Sequence, residues 1–326
     1  MTSTLHTPVA EAVEPRPVAV APLASLATSR VVPLRRPGQW IATLVVLVLL
    51  VNFGQTLFSN PHWEWAKVPD WLFHKSILKG IGLTLQATAI AAVVSFIGGV
   101  VVALGRLSRN TFLNTISWGY VWLFRSVPLI LILIFLFNLP NLYPSLGIGI
   151  PFGPQLSIPT ISLDPLALGV IGLSLSEIAY SSEVVRSGIL SVDQGQYEAA
   201  KALGIPRVRQ FTRIVLPQAL RSIVPSYVNQ VIGLLKASSL LIYVSLLDLF
   251  GQVQRLSSTY PTDIIPLLVV ATLWYLVLTS AISVVQYYVE RYYARGALRV
   301  VPPTPFQRVR RAFATATSSV TSGARR

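Results

Sequence analysis

The chain has 326 residues, 53% of them hydrophobic and 12% charged, and its 26 Lys and Arg against 12 Asp and Glu give a formal net charge of +14. So apolar a composition with so few charges excludes an ordinary soluble domain and places the chain among polytopic membrane proteins. Without a cysteine it has neither a disulfide framework nor a thiolate metal site, and His6, His62 and His74 show no ligand spacing.

Residues 1–36 carry five prolines and no sustained period, and the first 38 residues read as a disordered cytoplasmic tail. Glu11 and Glu14 interrupt any cleavable signal. The apolar run that begins near Trp40 is predicted to remain as an extra N-terminal span within 39–60. Crossing about 30 Å of hydrocarbon takes about 20 helical residues. Six segments are long enough: near 40–58, 79–104, 113–138, 165–186, 220–246 and 264–290. The expected fold is therefore all-α, with about six transmembrane helices.

Positive charge orients the spans. Arg16, Arg30, Arg35 and Arg36 precede the first, and Arg106 and Arg109 separate the second from the third. Arg186, Lys201, Arg207, Arg209, Arg213 and Arg221 separate the fourth from the fifth, and eight arginines follow the sixth. Together these are 20 of the 26 basic residues, so both termini and the Glu198 loop are predicted to be cytoplasmic. The basic tail over 294–326 reads as a topology determinant attracted to anionic lipid. No recognition motif accompanies it, so no nucleic-acid partner is expected. On the opposite side, Trp63, Trp65, Trp71 and Phe73 suit the headgroup level. The proline-rich loop 139–164 reads either as a stiff cap or as a long turn.

Ionisable groups inside spans usually face a cavity or a partner. Arg125 lies roughly 18 Å into the third span at 1.5 Å per residue, three residues before Pro128, which removes a backbone donor and can open the helix. Its guanidinium suits bidentate binding of an α-carboxylate; a structural ion pair is the other reading. Glu177 shares a helix face with Tyr180 and Ser181, and Glu183 is three residues before Arg186, an obvious local partner. Lys236 precedes Ala237-Ser238-Ser239, where a helix break is expected. Gly80, Gly82, Gly98 and Gly99 in the second span and Gly169 and Gly172 in the fourth favour close helix contact.

The stretch Gln194 to Arg207 is polar and rich in small residues. It reads as a short helix, capped by Ser191 with Gln194 or by Asp193 with Gln196. Gly204 supplies a left-handed exit and Pro206 prevents continuation. Such a helix serves equally as a cytoplasmic linker or as a shallow body lying in another protein's groove.

Glu198-Ala199-Ala200, then Gly204, then Ile214-Val215-Leu216-Pro217, resembles the EAA loop of ABC importer permeases. Gly195-Gln196, Ala202-Leu203-Gly204 and Leu216-Pro217-Gln218-Ala219 resemble the polar amino acid uptake branch of that family. The resemblance runs from about Gly80 to Tyr293, within a permease domain over 78–293. It implies that the loop 191–217 couples to a separate ATPase subunit through Gly195, Glu198, Ala199, Ala200, Gly204 and Pro206. It also implies a second permease subunit, identical or paralogous, and an extracytoplasmic substrate-binding protein.

Leu123 to Leu129 is similar to the family's Phe-Arg-Gly/Ser-x-Pro-Leu motif. Ser182 to Ile189 matches its Ala-Glu-Ile-x-Arg-Gly-Gly-Ile pattern at Glu183 and Arg186 and departs at Ser182 and Ser187. Lys236 to Leu240 departs from the usual Lys-Asp/Asn-Thr-Ser-Leu at Ala237 and Ser238. The resemblance thus implies an amino acid path drawn from Arg125, Glu177, Tyr180, Ser182, Glu183, Lys236 and Ser239, in the bacterial cytoplasmic membrane.

No Gly-x-x-x-x-Gly-Lys-Ser/Thr loop is present, so ATP and Mg are expected on the partner ATPase, with no cofactor on this chain. No catalytic or metal-ligand constellation is legible, and the chain is not expected to be an enzyme. The alternative is a proton-coupled secondary transporter with Glu177 or Glu183 as relay. That reading predicts an inverted internal repeat, and none is found in the sequence.

Overall fold

The computed structural model describes residues 37–143, 145–150, 153, 155–159 and 164–294; the two tails read from composition lie outside this range. The chain forms two compact units, one ending at Ser59 and one starting at Asn60. In the first, α1 (Pro37–Ser59) is a helix of 23 residues, apolar around its whole circumference between Ile41 and Val51, as a lipid-facing span requires.

The second unit opens with two 3₁₀ turns and α2 (Val68–Leu72). Trp63, Trp65 and Trp71, expected at the headgroup level, are half-buried against a core of Val68, Ile77, Leu249, Val253, Leu267 and Val270. Lys67 Nζ pairs with Asp263 Oδ1 at 2.7 Å and with Glu64 Oε2 at 3.0 Å. The hydrogen bond to Asp263, then that to Glu64, raises the Lys67 ammonium above the ordinary lysine range. Trp71 Nε1 donates to Asp263 Oδ2 at 3.1 Å. These tryptophans therefore tie the segment before the next helix to the start of the last one.

α3 (Lys75–Leu107) is a single helix of 33 residues. α4 (Thr111–Ser126) starts on Asn110, whose Oδ1 accepts from Phe112 N at 2.9 Å. The third span is not the continuous helix expected over 113–138. It breaks after Ser126 and resumes as α5 (Leu129–Phe137), with 96° between the two axes. Pro128 has no N–H to continue the ladder, and Val127, as a residue before proline, is extended at φ −88° and ψ 126°. α6 (Leu139–Leu142) follows. In the loop beyond it, β1 (Ser145–Gly149) pairs antiparallel with β2 (Gln155–Pro159), Ser145 opposite Pro159. These two strands form a hairpin, a small addition to otherwise helical structure among the described residues.

α7 (Pro165–Leu190) begins on an Asp164 cap with Pro165 at its first position. It packs along α3, and the glycines make this possible: a Cβ at Gly99 would fall 2.5 Å from Ser181 Cβ and 3.0 Å from the Ser181 carbonyl carbon. After α8 (Gln194–Ala202) and α9 (Arg207–Gln210), a π-helical turn at Phe211–Val215 leads into α10 (Leu216–Ala237). The expected break at Ala237-Ser238-Ser239 is a change from α to 3₁₀ over Ser238–Val244. There Ser238 Oγ and Ser239 Oγ donate back to the carbonyls of Leu235 and Lys236, each at 2.8 Å.

α11 (Leu249–Thr259) was not anticipated from sequence; it fills the gap before α12 (Ile264–Ala294). Its cap, Asp248, is fully buried. Asp248 accepts from Gly251 N at 2.9 Å, Thr84 Oγ1 at 3.2 Å and Tyr275 Oη at 3.3 Å. One carboxylate so joins α3, α11 and α12.

Candidate functional site

Two places concentrate the residues singled out from sequence: the α8 loop and the hinge between α4 and α5. In the loop, Asp193 Oδ1 accepts from Gly195 N at 2.7 Å. The cap is therefore an Asp on the second amide, not the side-chain reciprocation expected with Gln196. Ser191, the other candidate, donates to the Gly188 carbonyl at 2.8 Å. Gly204 takes φ +66°. Its N–H bonds to the Lys201 carbonyl, and Ile205 N reaches the Ala200 carbonyl, both at 3.0 Å. That pair of bonds is a Schellman close, which only a left-handed residue at Gly204 permits. Pro206 then caps α9.

One face of α8 is held by the protein. Ala200 is buried, Tyr197 Oη reaches the Ile189 carbonyl at 3.4 Å, and Gln210 Nε2 donates to the Tyr197 carbonyl at 3.2 Å. Burial raises the Tyr197 hydroxyl above its ordinary pKa. On the other face Glu198, Ala199 and Lys201 are exposed, and Glu198 makes no ion pair among the described residues. Leu203 and Val208, beside Gly204, are 78% and 77% exposed. The outward face of α8 thus combines a carboxylate with small and apolar surface beside a rigidly closed helix end.

At the hinge, Arg125 and Ser126 line two chambers. The first, of 390 Å³, is lined also by Pro128, Leu129 at the start of α5, Ser176, Glu177 and Tyr180 from α7, and Leu234 and Ala237 from α10. The Arg125 guanidinium carbon lies 5.4 Å from the centroid of the Tyr180 ring, a cation–π contact. Glu177 Oε1 is buried and has no hydrogen-bond partner among the described residues. Among the described residues, one cation without an ion pair and one carboxylate oxygen without a partner thus share a cavity, an arrangement that suits a zwitterion.

The second chamber, of 330 Å³, is lined by Arg106, Trp118, Trp122, Arg125, Ser126 and Glu183. Glu183 accepts from Arg106 Nη1 at 2.9 Å and from Arg186 Nε and Nη2, both at 3.3 Å. The local pair with Arg186 is present, and Arg106 from α3 is added to it.

Of the path residues named from sequence, the structure brings Arg125, Glu177 and Tyr180 together and joins Glu183 to Arg125 through the second chamber. Ser182 is buried and lines neither chamber; its Oγ donates to the Ala179 carbonyl at 2.8 Å. Lys236 is exposed and outside both chambers, and its ammonium has no partner among the described residues. Ser239 is likewise outside them, bonded back to Lys236. Sequence reading missed Arg106, counted there only as a topological charge, and Trp118, Trp122 and Asp248. An Asp before Leu249 was a readable cap signal; nothing local pointed to the others.

With this geometry in view, known proteins can be compared. Residues 95–295 match the sequence profile described as binding-protein-dependent transport system inner membrane component. The arginine transport system permease protein ArgU of Corynebacterium glutamicum is 34% identical over 270 residues, covering 82% of this chain and 84% of that protein. The arginine transport system permease protein ArtQ of Bacillus subtilis is 34% identical over 227 residues, covering 69% of this chain and 94% of that protein. Among solved structures, a chain of an amino acid ABC transporter with histidines superposes with a TM-score of 0.57 at 26% identity, covering 67% of this chain and 94% of its own length.

Proposed function

This chain belongs to the family of binding-protein-dependent transport system inner membrane components, and from that membership we propose that it is the permease subunit of an ATP-driven importer of polar amino acids. It is a multi-pass membrane protein with, among the described residues, five helices long and apolar enough to cross a membrane, or six if the bent pair α4 and α5 is one span. In this reading it lies in the bacterial cytoplasmic membrane with both termini and α8 on the cytoplasmic side, which the distribution of 20 of its 26 basic residues supports.

Two permease subunits, identical or paralogous, form the path. A separate ATPase, carrying ATP and Mg, docks under the exposed face of α8 around Glu198. A substrate-binding protein delivers the amino acid from the opposite face. The observation that carries the reading is the first chamber, where Arg125 meets the substrate's α-carboxylate and Glu177 its α-ammonium. Chamber access switches when ATP binding draws the ATPases together and pulls on α8, with the α4/α5 hinge beside the chamber. Relatives named for arginine transport and the amino acid transporter structure support an amino acid substrate.

The alternative, a proton-coupled transporter with Glu177 or Glu183 as relay, is not favoured by the family membership or by the relatives and the structure named for amino acid transport. The test is purification of the tagged chain in mild detergent with every co-purifying subunit identified, followed by reconstitution and ATP-dependent uptake of labelled L-arginine and L-glutamine. Recovery of an ATPase together with ATP-dependent uptake supports the proposal. A clean oligomer that accumulates amino acid without ATP overturns it.

A further inference from the structure

The second chamber adjoins the proposed substrate site. It is nearly the size of the first, 330 against 390 Å³, and both lie in the range of small-molecule sites. Arg125 and Ser126 line both, so the two chambers adjoin at one guanidinium. The charges are arranged for a zwitterion. Glu183 lines the chamber and Arg106 pairs with it at 2.9 Å, the two side chains 26% and 17% exposed. Arg186 holds the other carboxylate oxygen at 3.3 Å.

We propose that the second chamber is a further station for the transported amino acid, its α-carboxylate taken by Arg106 and Arg125 and its α-ammonium by Glu183. The amino acid inserts into the Arg106–Glu183 pair, its α-carboxylate between Arg106 and Arg125 and its α-ammonium on Glu183, while Arg186 keeps its bond to Glu183. Each charged group then has a neighbour of opposite sign, which a charged ligand in a partly dehydrated site needs. Trp118 and Trp122, stacked at 6.4 Å with 8° between their planes, form the wall against which the substrate side chain lies. With no substrate, the Arg106–Glu183 pair bridges α3 and α7. The station rests on the first chamber's being a substrate site, and Arg125 serves both.

The test titrates the permease, purified with its ATPase partner in phosphatidylcholine nanodiscs, with radiolabelled L-arginine and L-glutamine. The transported amino acid is expected to saturate at two molecules per permease chain. The charge-neutral pair Arg106→Gln with Glu183→Gln should reduce this to one and lower uptake roughly tenfold or more, as loss of a charge-assisted hydrogen bond would. Glu177→Gln should also reduce it to one, by emptying the first chamber. Saturation at one molecule, unchanged in the Arg106/Glu183 variant, overturns the second station. Unchanged binding in Glu177→Gln instead counts against the first chamber.

A second measurement leaves every charge in place. The substrate-dependent change in tryptophan fluorescence should fall several-fold in the variant combining Trp118→Phe and Trp122→Phe. An undiminished response also overturns the station.

Discussion

Arg125 faces the Tyr180 ring with its guanidinium carbon 5.4 Å from the ring centroid, and it has no carboxylate in ion-pair range among the described residues. It sits at the last turn of α4, where a cation also complements the helix dipole. An aromatic face steadies the guanidinium without neutralising it, so the charge stays open to a substrate carboxylate. Arg125→Lys keeps the charge and loses the planar stacking and the bidentate fork. It should reduce uptake about tenfold, an effect of roughly 1.4 kcal/mol, and Arg125→Ala should reduce it further. In both, gel filtration should show the assembly intact. Normal uptake by purified Arg125→Ala would reassign the residue to structure.

Glu198 is exposed on the outward face of α8. Reversing its charge disturbs a surface that makes no internal contact there, so Glu198→Lys should change stability by less than about 0.5 kcal/mol. Membrane insertion should be unaffected, while ATPase co-purification and uptake are lost. An ATPase recovered in normal yield with Glu198→Lys would remove α8 from the docking surface.

Gly204 at φ +66° closes α8 and sets the direction of the chain into α9. A β-branched side chain is costly in this region, about 1–2 kcal/mol for an L-residue. Gly204→Val should therefore lower uptake through displaced loop geometry, and Gly204→Asn, which tolerates the left-handed region, should restore most of it. Equal activity of the Val and Asn variants would show that the close of α8 does not matter for coupling.

Asp248 is fully buried and accepts from Thr84, Gly251 and Tyr275. Asp248→Ala leaves these donors in the interior, and each unsatisfied one costs about 1–3 kcal/mol. Thermal unfolding of the purified protein should move down by several degrees, while Asp248→Asn, which keeps one acceptor oxygen, should move it less. Identical unfolding of the two variants would mean that packing of α11, and not the carboxylate, holds this junction.

The sequence by itself determined the features that depend on a turn or two of chain. Span number and apolar length follow from composition. Both ends of α8 follow from Asp193 and Gly204, whose bonds reach no more than five residues. The change of helix at Ser238 and the weakness at Pro128 follow from single residues.

Only the tertiary structure decided what depends on the rotation and relative height of separate helices. Pro128 permits a break, but the 96° angle comes from α5 lying against α7 and the 3₁₀ turn after α10. Arg106 meets Glu183 across 77 residues, and Asp248 meets Thr84 across 164. Ser182 and Lys236 are polar residues in apolar spans, as Arg125 and Glu177 are. Rotation of α7 and α10 leaves Ser182 and Lys236 outside the chambers, and the packing of α4 on α7 brings Arg125 and Glu177 into one. Periodicity along one helix tells which residues share a face; it does not tell what that face meets.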